Sequence, residues 1–539
     1  MAHAHPSLFQ QFGGWILAAL VGALLGAGLG AAFPAGAVGH HAAGAPEAPR
    51  AMIVRPDGSP VAAAIALGAG DAPAAEPPGE TALPPDPGVR TAPRHAAAPE
   101  IPALLVAPFA LLLGCIAVLP LAAPRFWHRR YPEVAFGLGS LVVAYYMIAF
   151  GAYGRQSMGH VAIEYYQFVA LVIGLYFISG AVVVSVRPRG SAAANTALLA
   201  VGSVLASVVG TTGASMLLLR PFLRMNAGRV RPVHVVFFIF IVSNCGGALT
   251  PIGDPPLYLG FIKGVPFFWT LENLWKEWAF VNGCLLALFF AIDSRIPSAG
   301  AGDAPPPAQR RPVAVEGALG LAGLAVVIGA VFLDPFLKAR FGYEGVPIGP
   351  AVQIAAALAV RAAAPRELYV RNGFTFEPAK EVGFLFVGIF ATMAPALAFL
   401  AERGGSLGLS TTAHYYFATG ALSAMLDNAP TYLSFLQLAF SKIGLPLTAE
   451  GLRALPSLTI AIGAGADEAI LRGADLLASV SLGAVFFGAC TYIGNGPNFM
   501  VKSVAESTGI AMPSFLGYLR YSVPLLAPVL VLSWLLFLR

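Results

Sequence analysis

A dozen apolar runs, most of them close to the length of one membrane crossing, occupy this chain from residue 103 onward. A spanning helix needs about 20 apolar residues. The runs fall near 103–122, 134–152, 163–185, 194–221, 233–262, 279–293, 313–333, 347–363, 381–400, 413–441, 476–507 and 520–538. The 539 residues are 57% hydrophobic and 11% charged, whereas a soluble domain is typically about 25% charged. Such a chain cannot cover itself with a water-facing surface. It is therefore no soluble enzyme, nucleic-acid binder or disordered protein. The expectation is an all-α polytopic membrane protein of about 11 spans, with the lipid bilayer as its main partner. The net charge of +5 reports loop topology in such a chain rather than nucleic-acid binding.

Three parts follow from the pattern. Residues 1–33 contain one apolar run and read equally as a cleaved leader or a retained first helix. Residues 34–100 are rich in Ala, Pro and Gly, and they read as a disordered external linker. Residues 101–539 form the membrane domain. Cys115, Cys245, Cys284 and Cys490 each lie in or beside an apolar run, with no CxxC spacing. They predict neither a disulfide framework nor a zinc site.

The arginines orient the domain. Arg125, Arg129 and Arg130, then Arg187 and Arg189, then Arg220, Arg224, Arg229 and Arg231, and finally Arg361, Arg366, Arg371 and Lys380 mark four basic loops. The positive-inside rule makes all four cytoplasmic. Run 194–221 has basic loops at both ends, so it should enter and return as a re-entrant hairpin turning near Thr211 to Ser215. The same count places both ends of 413–441 outside. That predicts a second hairpin of opposite orientation, turning near Asp427 to Thr431.

The halves also match each other. Gly247-Ala248-Leu249-Thr250-Pro251-Ile252-Gly253-Asp254-Pro255-Pro256 aligns with Gly488-Ala489-Cys490-Thr491-Tyr492-Ile493-Gly494-Asn495-Gly496-Pro497, with six of ten positions identical. The charge argument makes two inverted repeats, about 163–293 and 381–538. Each has a hairpin and a helix broken by Gly and Pro. Breaks of this kind leave backbone groups unpaired. In a membrane they survive only against protein or a watery cavity, and paired breaks in inverted halves point to a transporter binding site.

The candidate ligands lie at these breaks. Ser243, Asn244, Thr250, Asp254, Thr491, Asn495 and Asn498 belong to the broken segments. Thr211, Thr212, Ser215, Asp427, Asn428 and Thr431 belong to the hairpin tips. Their hydroxyl, amide and carboxylate oxygens are hard ligands suited to Na⁺ or to a hydrogen-bonded small anion. A single Ser or Thr can instead bond back to its own helix. Asp254 and Asp427 carry the strongest signal, because a carboxylate at membrane depth costs about 2.5–3.5 kcal/mol on insertion scales. The competing role for each is to cap the helix that follows. Glu381 and Glu164 are candidate proton carriers placed near span ends, where a solvated carboxylate is the plainer reading. His234 reads as a capping or snorkelling residue, and Lys263 and Lys502 read first as interface anchors and second as partners that compensate an acid.

The run Ser243 to Pro256 resembles the first signature of the ion transporter superfamily. Within it, the similarity is to NhaD-type sodium/proton antiporters and to citrate-transport-like membrane proteins. Asp427 to Thr431 and Thr491 to Asn498 look like the second-half signatures. The resemblance covers roughly residues 103–539. It implies two inverted repeats whose hairpins and broken helices meet near the midplane. It implies Na⁺/H⁺ exchange in NhaD-type members and dicarboxylate, citrate or arsenite transport in others. It also implies a bacterial inner-membrane location and, often, a homodimer. Many carboxylate carriers show Ser-Asn-Thr at both breaks; this chain has Ser243-Asn244-Cys245 at the first and no such triplet near Cys490 to Asn498.

The leading expectation is a sodium/proton antiporter working by alternating access, with Asp254 and Asp427 binding Na⁺ or H⁺ and no further cofactor. The alternative is a cation-coupled citrate or other carboxylate transporter on the same fold. An enzyme is not expected. The GxSxG string at 404–408 and the GxGD strings at 68–71 and 300–303 fall in loops or the linker and read as chance matches in a Gly-rich chain.

Overall fold

The computed structural model describes residues 52–54, 99–186, 190–297, 313–462 and 469–539. The leader or first-helix reading of residues 1–33 lies outside the described residues, as does nearly all of the linker. One short piece of that linker departs from the disordered reading. Met52–Val54 forms strand β1.

After a 3₁₀ turn at Ala103–Val106, the chain runs through α1 (Ala107–Ala122), α2 (Pro124–Ala149) and α3 (Gly151–Ser179). Strand β2 (Val183–Val186) leads to α4 (Ala192–Val209), α5 (Thr211–Met225), α6 (Pro232–Ile241), α7 (Pro255–Lys263) and α8 (Trp269–Asp293). Strand β3 (Val313–Glu316) then precedes α9 (Ala318–Ala330), α10 (Leu333–Phe341), α11 (Gly349–Ala363), α12 (Arg366–Arg371) and α13 (Glu377–Arg403). The second half continues with α14 (Thr412–Met425), α15 (Asn428–Ile443), α16 (Ala449–Ala454), β4 (Thr459–Ile462) and β5 (Ala469–Arg472). It ends with α17 (Gly473–Phe487), α18 (Gly496–Ser507), α19 (Phe515–Tyr521) and α20 (Ala527–Phe537).

Nine helical stretches among the described residues are long and apolar enough to cross a membrane, or ten if the bent pair α9 and α10 counts as one. The protein is thus an integral multi-pass membrane protein. Large apolar side chains such as Val201, Leu358 and Leu536 are exposed, as on a surface that faces lipid. Several predicted bounds shift. The run 134–152 belongs to a helix that starts at Pro124, and 279–293 to one that starts at Trp269. The run 313–333 splits into strand β3 and a helix that bends by 42° into the next. Proline supplies a preset φ and needs no N–H in a first turn, which suits Pro124, Pro232, Pro255 and Pro497 at their helix starts. Side-chain caps start others, Ser191 accepting from Ala194 N at 3.2 Å and Thr411 from His414 N at 3.2 Å.

Two small antiparallel sheets gather loops that are far apart in sequence. β2 pairs with β3, with Val183 opposite Glu316. Beside it Arg371 grips Glu316 at 2.6 Å, and Arg224 donates to the Arg371 carbonyl at 3.2 Å. Arg220 donates to the Asn372 carbonyl at 2.7 Å, and Asn372 donates to the Gly180 carbonyl at 3.0 Å. Two of the four basic segments, and the strand that leads toward a third, thus meet at one end. The other sheet runs β1-β4-β5, with Met52 opposite Ala461 and Thr459 opposite Arg472. It joins the linker to the loop after α15, two segments that the charge count places on the same side.

Candidate ion-binding site

Four interrupted segments build the site. The first is a helical hairpin. α4 runs in, Gly210 turns the chain at φ +81°, and α5 returns. Only glycine takes such a φ without strain, so the turn sits one residue before the predicted Thr211 to Ser215. Gly190 N donates to the Met225 carbonyl at 2.6 Å, which closes the open end of the hairpin. In the second hairpin α14 and α15 are separated by Leu426 and Asp427. Its return end folds back on the chain that led into it, with Gly405 N donating to Ser441 Oγ at 2.9 Å.

The broken helices share one backbone design. α6 ends, a 3₁₀ turn spans Cys245–Leu249, an extended stretch follows, and α7 begins. α17, the 3₁₀ turn Gly488–Cys490 and α18 repeat this order. The aligned glycines mark where the backbone approaches itself. A Cβ on Gly253 would overlap the Gly247 carbonyl oxygen, and one on Gly494 would lie 2.6 Å from the Gly488 oxygen. The aligned threonines tie each break to its own hairpin. Thr250 donates to the Ser207 carbonyl, and Thr491 donates to the Ala424 carbonyl at 2.6 Å. Each carbonyl lies within three residues of its hairpin turn, so these hydroxyls tie each break to the backbone of its own hairpin.

The Asp254 carboxylate joins all four segments. Thr211 Oγ1 donates to Oδ1 at 2.9 Å, Asn495 Nδ2 donates to Oδ1 at 2.9 Å, and Asn428 Nδ2 donates to Oδ2 at 2.6 Å. These donors come from the first hairpin tip, the second break and the second hairpin tip. Asp254 is 1% exposed, and its side chain makes no capping bond to α7. The capping alternative is therefore not its role. α5, α7, α15 and α18 all begin at this cluster, and helix N-termini favour negative charge.

A second layer of amides surrounds it. Asn244 donates to Asn498 Oδ1 at 2.7 Å, and Asn498 donates to the carbonyls of Gly488 at 2.8 Å and Thr491 at 2.9 Å. Asn495 also reaches the Ser243 carbonyl at 3.2 Å, and Ser215 Oγ lies 2.8 Å from Ser243 Oγ. Two oxygens in this layer are buried without a partner, Asn244 Oδ1 and Asn428 Oδ1. Leaving such acceptors unmet is costly. Both amides flank Gly488, whose Cβ would lie 3.1 Å from Asn244 Oδ1 and 3.6 Å from Asn428 Nδ2. The free oxygen of Asn428, whose amide meets Asp254, and that of Asn244 in the next layer are hard ligands of the kind a small cation takes. Among the described residues no group of three His, Cys, Asp or Glu could hold a metal ion. A small cavity of about 30 Å³ between α3 and the first hairpin tip is lined by Leu171, Leu175, Thr212, Tyr258 and Asp254 among others.

Other candidates lie apart or act structurally. Asp427 caps α15, its Oδ1 accepting from Ala429 N at 3.0 Å, and its neighbour Asn428 reaches Asp254 instead. Thr431 bonds back to the Asp427 carbonyl at 2.9 Å. Glu164 lies in the middle of α3, not at a span start, and Lys263 pairs with it at 2.5 Å. Lys502 pairs with Glu506 at 2.7 Å. Both lysines thus take up the acid-pairing alternative. Glu381 is half-buried in the second turn of α13. His234 does cap α6, its Nδ1 accepting from Arg231 N at 3.0 Å, but it does not snorkel; Nε2 meets Asp293 at 2.9 Å in a fully buried network. The sequence reading missed the struts of the first break. From α8, Thr270 donates to the Leu249 carbonyl at 2.9 Å, Trp278 to Gly246 at 3.0 Å and Asn282 to Cys245 at 3.4 Å. All four cysteines are free thiols.

Residues 98–538 match the model of a protein family described as "Putative citrate transport". No curated protein matches the chain.

Proposed function

The chain belongs to this family of membrane transporters, and we propose that it is a secondary transporter exchanging Na⁺ for H⁺ by alternating access. One observation carries the reading: a buried carboxylate, Asp254, receives only neutral donors, from Thr211, Asn428 and Asn495. Among the described residues no cationic side chain pairs with it. Its charge is left for a proton or a metal cation to balance, and the two compete for the same oxygens. Asn244 Oδ1 and Asn428 Oδ1, both without partners, supply neutral ligands to the cation. Asp427, one residue from the contact, adds negative charge nearby and caps the helix that presents Asn428.

Alternating access follows from the two hairpins. The first opens toward the basic loops, through Arg220 and Asn372. The second opens toward the β4 and β5 loop. Their tips meet at Asp254. This supports inverted repeats with re-entrant hairpins, each tip screening the ion from one side. Tilting the core against α3 and α13 would then expose Asp254 to either face in turn.

The second reading is a cation-coupled carrier of citrate or another carboxylate. The family description favours it, as do the four helices that begin at the site. Against it, Asp254 already occupies the place where a substrate carboxylate would meet those helix starts and amide donors. Purified protein in liposomes with an internal pH dye separates the two. Na⁺ or Li⁺ alone should drive a pH change that K⁺ does not. A chain that takes up labelled citrate, with no pH response to Na⁺ alone, would be the carboxylate carrier.

A further inference from the structure

Among the described residues three acidic side chains are buried: Asp254, Asp293 and Glu277. Asp254 has its three neutral donors. Asp293 is met by Arg229 at 2.5 Å, His234 at 2.9 Å and Asn195 at 2.6 Å. Glu277 has no side-chain donor, and the opposite charge that acts on it comes from its chain neighbour Lys276. Glu277 is 6% exposed, and its Oε2 is buried with no hydrogen-bond partner. An ionised carboxylate does not stay buried uncompensated, whereas a neutral acid can. Intramembrane acids of this kind mark proton or ion pathways.

Glu277 faces the protein interior. Thr270, Leu274, Glu277, Val281, Leu285 and Phe289 form the buried stripe of α8, and Leu271, Trp275 and Phe290 lie exposed on the other side. Lys276 turns outward over the Trp275 ring, 5.9 Å from its centroid. The stripe packs on the first break. Trp278, the next residue, holds the Gly246 carbonyl, and Asn282 holds that of Cys245. The elements packed on α8 include α4, α6, α17, α20 and the 3₁₀ turn of the first break. They bring only His234, Cys245 and Asp475 as titratable groups. Lys276 and Asp475 are the charged groups that Glu277 feels, and the Tyr416 phenol of α14 feels Glu277. Glu277 lies eight residues into α8 from Trp269, about 12 Å along the helix at 1.5 Å per residue. That places it toward the β4 and β5 end, while Asp293 anchors the basic end.

We propose that Glu277 is a second proton-binding site of the transporter, one helix behind Asp254, held as the neutral acid when α8 packs on the first break. Its role in exchange rests on the sodium/proton reading above. When Glu277 gives up its proton, the carboxylate must draw in water or shift α8. Either response moves the struts Trp278 and Asn282, and through them the loop that carries Asp254. Proton release at Glu277 is thereby linked to exposure of the ion site, and each cycle carries one proton more than Asp254 alone would move.

The test combines infrared spectroscopy with proton counting on the full chain in liposomes. Wild type should show a protonated carboxylic acid band that disappears in Glu277→Gln and persists in Glu277→Asp. Protons moved per Na⁺ should fall by one in Glu277→Gln, with Na⁺ binding kept. An unchanged acid band and an unchanged proton count in Glu277→Gln would overturn the proposal. The band is read without any cation gradient. Its loss in Glu277→Gln, in a protein that shows no sodium exchange, would overturn the exchange reading and leave the proton site standing.

Discussion

The two breaks share a backbone and differ in charge. Both cross themselves at paired glycines, and both use a threonine to hold the carbonyl three residues before a hairpin turn. At the next polar position one copy carries Asp254 and the other Asn495, and Asn495 donates its amide to Asp254 at 2.9 Å. The duplicated motif thus became an acid and the donor that steadies it. A second carboxylate at 495 would put two like charges in one buried site; a second amide at 254 would leave the site without a charge. The comparison teaches that geometry was kept in both copies while the chemistry was divided between them.

The sharpest way to break this account is to exchange the two side chains. Asp254→Asn should abolish sodium-driven proton flux in liposomes. The double variant Asp254→Asn with Asn495→Asp should recover part of it, because the acid then faces an amide from the other break. A double variant as inactive as the single one would show that the two positions are not equivalent. A smaller effect is expected from the donors. Asn428→Ala and Asn495→Ala each remove a bond to a buried carboxylate, worth about 1.5–3 kcal/mol, or about 10- to 100-fold in Na⁺ affinity. Isothermal titration with Na⁺ measures this, and two wild-type affinities would contradict it. The smallest effect should come from Thr250→Val and Thr491→Val. Each loses one hydroxyl bond to its hairpin, about 1 kcal/mol of stability. Thermal unfolding in detergent should show similar losses in both, since this feature belongs to the shared backbone.

Much of this arrangement is legible in the sequence, because Gly and Pro inside apolar runs have few other uses. The breaks at Cys245–Leu249 and Gly488–Cys490, the two hairpins and the polar tips follow from that pattern and from arginine placement. The partners of Asp254 do not. Asn428 and Asn495 stand 174 and 241 residues away, and only the meeting of both halves brings them to it. Sequence could not divide Asp427 from Asn428, since side by side at a helix start one caps and the other reaches across. Glu277 escaped notice for a different reason. Glu272, Lys276 and Glu277 interrupt the hydropathy of α8, so the run read as 279–293 although the helix starts at Trp269. The same effect misplaced Glu164 at a span end, because Arg155 and His160 precede it in α3 and seemed to lie before the span. Charges inside a helix look like its end until its neighbours are known.

The central claim is that Na⁺ and H⁺ compete for the Asp254 carboxylate. The most direct measurement is proton release from purified, weakly buffered protein on addition of Na⁺, compared between wild type and Asp254→Asn. Wild type should release protons and Asp254→Asn should release none from this site, both with unchanged helical content. Equal release from the two proteins would contradict the account.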